Sequence, residues 1–168
     1  VVINASAQLW LALARRRVRW LPLATATHDV SVTSLVLLLL ARDDPAAGLN
    51  SMVVWCFYAV AIVLTALRND VRLALYTGAL AIAQYALLWW MVTAMAPGDA
   101  LPASYAYGVV SPGTLAQRLV LLAIITAITA LVVRRIQRLI TAAGHDALTG
   151  LPNRAWLLQH LPDRKSGV

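Results

Sequence analysis

Apolar residues fall into five long runs, and short polar segments rich in Arg, Asp, Pro and Gly separate them. The runs cover residues 1–14, 21–41, 52–67, 73–96 and 115–133. A helix needs about 20 apolar residues to cross a hydrocarbon layer of roughly 30 Å. The first run is shorter than this, so we expect it to be the inner part of a longer helix. The pattern predicts an all-α, polytopic transmembrane helix bundle with five visible spans.

Composition supports a membrane protein. The chain is 61% hydrophobic and 12% charged, whereas soluble domains are about half apolar and a quarter charged. The net charge of +7 does not indicate nucleic acid as a partner, because the arginines lie at the ends of the apolar runs. The lipid bilayer is the predicted partner. The single cysteine, Cys56, lies inside an apolar run and is interpreted as a small buried hydrophobe.

Arginine density alternates along the polar segments and predicts the topology. Residues 15–19, 68–72 and 134–138 are expected on the cytoplasmic side, and residues 42–51 and 97–114 outside. Arg42 and Arg118 are the exceptions to the alternation. The first visible helix then runs inward, so the sequence predicts a sixth helix before Val1 and a cytoplasmic N-terminus.

The external segments are predicted to be irregular. Residues 42–48 are expected to form a short acidic loop, and residues 97–114 a longer loop. Arg118 lies near the start of the fifth run and is expected to extend toward the outer headgroups. Tyr105 and Tyr107 are interpreted as interfacial anchors.

The fifth run is expected to continue into the cytoplasm as one helix, because no Gly or Pro occurs between Val133 and Gly144. Apolar residues in this segment step by four, three and four, as in a coiled-coil seam; they are Val132, Ile136, Leu139 and Ala143. Residues 134–145 are therefore predicted to form a dimeric connecting helix. The alternative is a single amphipathic helix on the inner leaflet.

The second run carries the first candidate sensing site. His28 and Asp29 are adjacent ionisable residues inside a span, and such residues usually face a bundle interior or a cavity. Thr25, Asp29 and Thr33 share a helical face, with Ser31 and Ser34 nearby. This polar face indicates a ligand pocket or a proton-sensing site. The alternative is structural pairing of Asp29 with an arginine in residues 15–19.

The fourth run carries the second candidate set. Gln84 and Tyr85 are polar residues in mid-span and are expected to hydrogen-bond to the second span. Trp89 and Trp90 lie in the outer half, where an aromatic belt and a stacking wall for an apolar ligand are both open interpretations. The sequence has no metal-ligand spacing and no nucleophile constellation, so no metal is predicted.

A specific motif follows the connecting helix. Residues 146–154 read DALTGLPNR, in which Gly150 suits a tight turn and Pro152 the first turn of a helix. This stretch resembles the D-x-L-T-G-L-x-N-R sequence that opens GGDEF domains, the diguanylate cyclase domains. The resemblance implies that Asp146 and Arg154 brace the turn as an ion pair, with Gly150 and Asn153 at other fixed positions.

The resemblance also implies the domain organisation and the activity. Residues 1–133 would be a membrane sensor, 134–145 the connecting helix, and 146–168 the truncated start of a GGDEF domain. The catalytic motif would follow Val168, so no catalytic residue is expected in this chain. Mg and GTP would be needed by that domain, which makes cyclic di-GMP from two GTP in a homodimer.

The expected location is the bacterial inner membrane, with the C-terminal end in the cytoplasm and an unidentified small-molecule or lipid signal. Two alternatives remain open at this point. One is the sensor of a degenerate GGDEF or GGDEF–EAL receptor or phosphodiesterase, and the other is a small membrane transporter.

Overall fold

The computed structural model describes residues 20–95 and 102–143, which are almost entirely helical. The helices are α1 (Leu21–Asp43), α2 (Pro45–Asn50), α3 (Met52–Leu64), α4 (Val71–Ala94) and α5 (Pro112–Ala143), with a 3₁₀ turn at Thr65–Arg68. Two short strands, β1 (Ala103–Ser104) and β2 (Gly108–Val109), pair antiparallel. The predicted all-α class is confirmed, with this small hairpin as an addition.

Four helical segments of the described residues are long and apolar enough to cross a membrane. They are Leu21–Asp43, Pro45–Arg68, Val71–Ala94 and Pro112–Thr141. The chain is therefore a multi-pass membrane protein in character, as its sequence predicted. The predicted first span at residues 1–14 lies outside the described residues, as does the segment 146–168.

The predicted acidic loop at residues 42–48 was wrong, because most of it is the short buried helix α2. The Asp44 carboxylate accepts hydrogen bonds from the backbone N–H groups of Ala46 (2.9 Å) and Ala47 (3.2 Å), and Pro45 occupies the first turn. Gly48 lies so close to Ala41 that a Cβ atom there would overlap it. Asp44 and Gly48, which suggested a loop, are in fact the N-cap of α2 and a glycine that allows close packing against α1.

Residues 97–114 were predicted to form an irregular loop, but their described part is more regular than that. It contains the β1–β2 hairpin, in which Gly108 has a φ of +72°. Helix α5 begins at Pro112, three residues before the predicted start, because Ser111 caps it: the Thr114 N–H donates to Ser111 Oγ at 3.1 Å.

The hairpin is attached to the α1–α2 corner and to the end of α2. The Asn50 side chain donates to the carbonyls of Tyr107 (2.9 Å) and Val109 (3.4 Å). Hydrogen bonding from the Ser104 side chain, and from the α2 backbone, holds the pKa of Asp44 below its usual value. Because this pKa is depressed, the stabilisation is present above the ordinary carboxyl pKa and is lost as pH falls through the lowered value.

The core lies between α1, α3, α4 and α5. Its fully buried apolar residues include Val30, Leu37, Ile62, Ala81 and Leu122. Helices α4 and α5 approach closely at Gly78, where a Cβ would overlap the Thr126 side chain. Small residues that let two backbones meet are typical of helix packing in membranes.

Helix α5 is continuous over 32 residues. This corresponds to about 48 Å at 1.5 Å per residue, against roughly 30 Å of hydrocarbon. The prediction that the last span continues unbroken past Val133 is confirmed as far as Ala143. Near the end where α4 begins, the Gln137 amide donates to the carbonyl of Asn69 at 2.7 Å and ties α5 to the α3–α4 turn.

Candidate functional site

A cluster of polar side chains joins three helices in the middle of the bundle. We call Ser31, Ser34, Tyr58 and Gln84 the serine–glutamine cluster. Ser34 Oγ lies 2.7 Å from Tyr58 Oη and donates to Gln84 Oε1, while Gln84 Nε2 donates to Ser31 Oγ at 3.0 Å. The predicted bond from Gln84 to the second span is thus present. The addition of Tyr58 brings α3 into the same network.

One placement of the hydroxyl and amide protons is compatible with all three hydrogen bonds of the cluster. Tyr58 donates to Ser34, Ser34 donates to Gln84, and the Gln84 amide donates to Ser31. Polar groups away from water are costly when they lack a partner, so this network fixes the relative positions of α1, α3 and α4.

A second cluster surrounds Arg118 at the junction between α2 and α3. Its guanidinium donates through Nη1 to the Leu49 carbonyl (2.5 Å) and to Tyr85 Oη (3.1 Å), and through Nη2 to the Asn50 carbonyl (2.9 Å). Its Cζ lies 5.6 Å from the ring centre of Trp55 and 6.0 Å from that of Tyr85. We call Arg118 and these partners the arginine cluster.

The arginine cluster corrects two sequence predictions. Arg118 was expected to extend toward lipid headgroups, but its guanidinium binds protein carbonyls instead. Leu49 and Asn50 end α2, where carbonyls lack intrahelical partners and a positive charge is favourable. Tyr85 was expected to bond the second span, but its hydroxyl donates to the Leu49 carbonyl at 3.0 Å.

The two clusters touch through their tyrosines. The rings of Tyr58 and Tyr85 are edge to face, with centroids 6.1 Å apart and planes at 69°. Both side chains are fully buried. A continuous series of contacts therefore runs from Ser31 on α1 to Arg118 on α5.

Within the part of the chain that the structure describes, the predicted polar face of α1 makes hydrogen bonds within its own helix. Thr25 and Thr33 are buried, but their hydroxyls donate to carbonyls of their own helix, at Leu21 (3.1 Å) and Asp29 (3.0 Å) respectively. His28 Nδ1 lies 3.4 Å from Asp29 Oδ1, and both side chains remain substantially exposed. The arginines expected to pair with Asp29 lie outside the described residues.

The tryptophans of α4 have different environments. Trp90 is 63% exposed on the outside of the helix, as a residue of an aromatic belt would be. Trp89 packs against the core. The indole N–H groups of Trp89 and Trp55 are buried and have no hydrogen-bond partner within the part of the chain that the structure describes.

The predicted dimer seam lies on a face of α5 that the described residues leave uncovered. Val132, Ile136 and Leu139 are exposed, whereas the neighbouring Val133 is fully buried against the bundle. The side chain of Ala143 falls outside the described residues. So do the four motif residues Asp146, Gly150, Asn153 and Arg154.

Sequence reasoning missed two aromatic side chains of these clusters, Tyr58 and Trp55. Both lie in an apolar run where aromatic residues are ordinary, so only the positions of their partners reveal them. Comparison with known proteins gives no match to a family model, a curated protein or a solved structure. A functional conclusion therefore depends on the motif and the contacts described above.

Proposed function

We propose that this chain is the membrane regulatory region of a bacterial diguanylate cyclase. It would lie in the inner membrane, with its C-terminal end in the cytoplasm. In the proposal, a membrane or periplasmic signal changes the packing of the helices and repositions two GGDEF domains in a homodimer. The observation that carries this proposal is the continuity of α5.

Helix α5 leads from the arginine cluster toward the start of the motif. Arg118 lies in its second turn, and the helix is unbroken to Ala143, three residues before Asp146. A helix without a break moves as a unit, so a shift or rotation at its outer end also displaces its inner end. Tight coupling of this kind is what a sensor needs if its output domain follows the helix.

The exposed seam supports a dimeric arrangement. The resemblance to GGDEF domains implies two facing catalytic domains, each holding one GTP. Val132, Ile136 and Leu139 form an apolar face with coiled-coil spacing on the part of α5 closest to the motif. Pairing of this face with a second copy would set the distance and angle between the two output domains.

Charge supports the proposed orientation. At the end where α4 begins, the described residues hold Arg68, Arg72, Arg134, Arg135 and Arg138 against Asp70 alone. At the opposite end, Arg42 and Arg118 are matched in number by Asp43 and Asp44. Basic segments concentrate on the cytoplasmic side of membrane proteins. The motif would therefore emerge in the cytoplasm, where GTP is present.

A fusion tests the proposal. Residues 1–145 are joined at Asp146 to the catalytic domain of an active diguanylate cyclase, and cyclic di-GMP is quantified in cells. Duplicating residues 141–142 rotates the output domain by about 200°, since each residue turns the helix by about 100°. Duplicating residues 136–142 adds one heptad and leaves the helical phase nearly unchanged.

We expect the two-residue duplication to change cyclic di-GMP severalfold, and the seven-residue duplication to leave it near the level of the unaltered fusion. Immunoblots of membranes check that the three proteins are present in equal amounts. Equal output from all three fusions, or output equal to that of the free catalytic domain, would contradict regulation through α5.

A further inference from the structure

A groove on the inner part of α5 combines arginine and leucine side chains. Among the described residues it is lined by Leu131, Arg134, Arg135, Arg138 and Leu139, the last of which also belongs to the predicted seam, and its volume is about 450 Å³. Small-molecule sites usually measure about 300–1,000 Å³. The groove is therefore large enough to hold a headgroup-sized molecule, and its lining is both cationic and apolar.

The spacing of the three arginines suits a single anionic group. Arg134 and Arg138 are four residues apart, and Arg135 and Arg138 are three apart, so their side chains are neighbours on one helix surface. All three are exposed. Guanidinium groups bind phosphate oxygens through paired N–H donors, and three of them can surround one phosphate.

The length of α5 would place the groove at the depth of the headgroups. Arg134 is 22 residues beyond Pro112, or about 33 Å along α5, against roughly 30 Å of hydrocarbon. The register with α4 agrees with this depth. Gln137 contacts the turn at Asn69, which places Arg134 near the first turn of α4. Leu131 is one turn further toward the membrane interior.

Within residues 20–95 and 102–143, no carboxylate neutralises these arginines. The ion pair recorded there joins His28 and Asp29 on α1. The acid at this end of the bundle, Asp70, accepts from the Arg72 backbone N–H at 2.8 Å and caps α4. Three adjacent positive charges at the membrane boundary therefore face the groove without a counter-charge from the described chain.

We propose that this groove binds an anionic glycerophospholipid of the inner leaflet. The three guanidinium groups hold its phosphate, and Leu131 provides apolar surface for the upper part of its acyl chains. The chain would thus have a specific lipid ligand on the same helix that leads to the motif. The proposal depends on α5 crossing the membrane and does not depend on the activity of the output domain.

Native mass spectrometry of the full chain tests this directly. The protein is purified in detergent and mixed separately with dioleoyl phosphatidylglycerol and dioleoyl phosphatidylcholine, which have the same acyl chains. We expect preferential retention of phosphatidylglycerol. The variant R134Q/R135Q/R138Q should lose that preference, by about fivefold in affinity per arginine, since one basic residue near an anionic membrane surface contributes about 1 kcal/mol.

The matched control is R68Q/R72Q, which removes exposed arginines at the same end of the bundle but outside the groove. It should retain the preference for phosphatidylglycerol, and circular dichroism should show that both variants remain helical. A third arm adds soluble glycerol phosphate, which we expect not to displace the lipid. Displacement at comparable concentrations would instead indicate a site for a soluble anion and overturn the proposal.

Equal retention of the two lipids by the unaltered chain would also overturn it. So would equal loss of preference in both arginine variants, because that result would indicate only general attraction to the basic end of the bundle. Loss confined to R134Q/R135Q/R138Q supports the groove as the site.

Discussion

Arg118 shows how a charged residue inside an apolar helix can be stabilised without a carboxylate among its described partners. Three carbonyl or hydroxyl oxygens accept from its guanidinium, and two aromatic rings lie within about 6 Å of it. Two of the oxygens end α2, a helix of only six residues. The arginine therefore fixes α2 to α5. Removing it would take this donor from the Asn50 carbonyl and leave the Leu49 carbonyl with the Tyr85 hydroxyl.

Substituting Arg118 should destabilise the bundle. We expect R118Q to lower the free energy of unfolding by about 2–4 kcal/mol, because hydrogen bonds to a charged group contribute about 1.5–3 kcal/mol each and are only partly additive. The measurement is denaturation in detergent, followed by the helical circular dichroism signal. R42Q is the control, because Arg42 is exposed at the same end of the bundle. Equal effects of the two substitutions would show that the contacts of Arg118 contribute little.

At the residue scale, the sequence indicates which polar residues need partners but not which partners they find. Gln84 was expected to bond the second span and does so. Tyr85 is adjacent in sequence but points in a different direction, since neighbouring residues on a helix are rotated by about 100°. Its partner, the Leu49 carbonyl, is a backbone atom directly after the segment predicted to be a loop. No side-chain pattern identifies such an acceptor.

Helices α4 and α5 are held close together by a single small residue. Gly78 faces Thr126, and the flanking α4 residues Ala74 and Ala81 are fully buried. The close approach increases dispersion contacts between the helices, which replace the hydrophobic effect as a source of association within lipid. Any side chain at Gly78 must push the helices apart or displace Thr126.

We expect G78A to destabilise the protein by about 1–3 kcal/mol, the usual result of overpacking a core. The double variant G78A/T126A should recover part of this loss, because it removes the Thr126 atoms that the new methyl group would overlap. G113A is the matched control, since a Cβ there would meet only Ser111 Oγ at 3.6 Å. Thermal denaturation in detergent provides the comparison, and a loss in G113A as large as that in G78A would contradict the packing argument.

The two faces of α5 make dimer formation testable by disulfide crosslinking. In a C56S background, I136C and L139C should crosslink between copies in oxidised membranes, because both positions are exposed on the predicted seam. V133C is the internal control, since Val133 is fully buried against the bundle. Gel electrophoresis without reductant measures the fraction of disulfide-linked dimer. Crosslinking at V133C equal to that at I136C, or none at either seam position, would argue against pairing through this face.

At the element scale, long apolar segments were predictable and short ones were not. The four described spans follow from uninterrupted apolar length, which depends on composition alone. Helix α2 was missed because Asp44, Pro45 and Gly48 are ordinary loop residues, and six residues are too few for a hydrophobic period to appear. The cap at Asp44 and the close packing of Gly48 against Ala41 become visible only once α1 and α2 are placed together.

The whole molecule has a strongly asymmetric charge distribution. Among the described residues, one end holds five arginines and one aspartate, whereas the other holds two of each. The β1–β2 hairpin lies at the balanced end, attached to α2 through Asn50. Insertion by the positive-inside rule would expose the turn between α3 and α4 to the cytoplasm and the hairpin to the opposite side of the membrane.

This orientation can be measured with single cysteines. In the C56S background, Y105C places a thiol at the fully exposed tip of the hairpin, and L67C places one in the turn after α3, where Leu67 is 83% exposed. A thiol reagent that does not cross membranes should label Y105C in spheroplasts, and should label L67C only after permeabilisation. Because both sites are exposed, a difference between them reports the side of the membrane and not burial in the protein. Labelling of L67C alone in intact spheroplasts would reverse the topology and place the end of α5 outside, where a domain that uses GTP could not work.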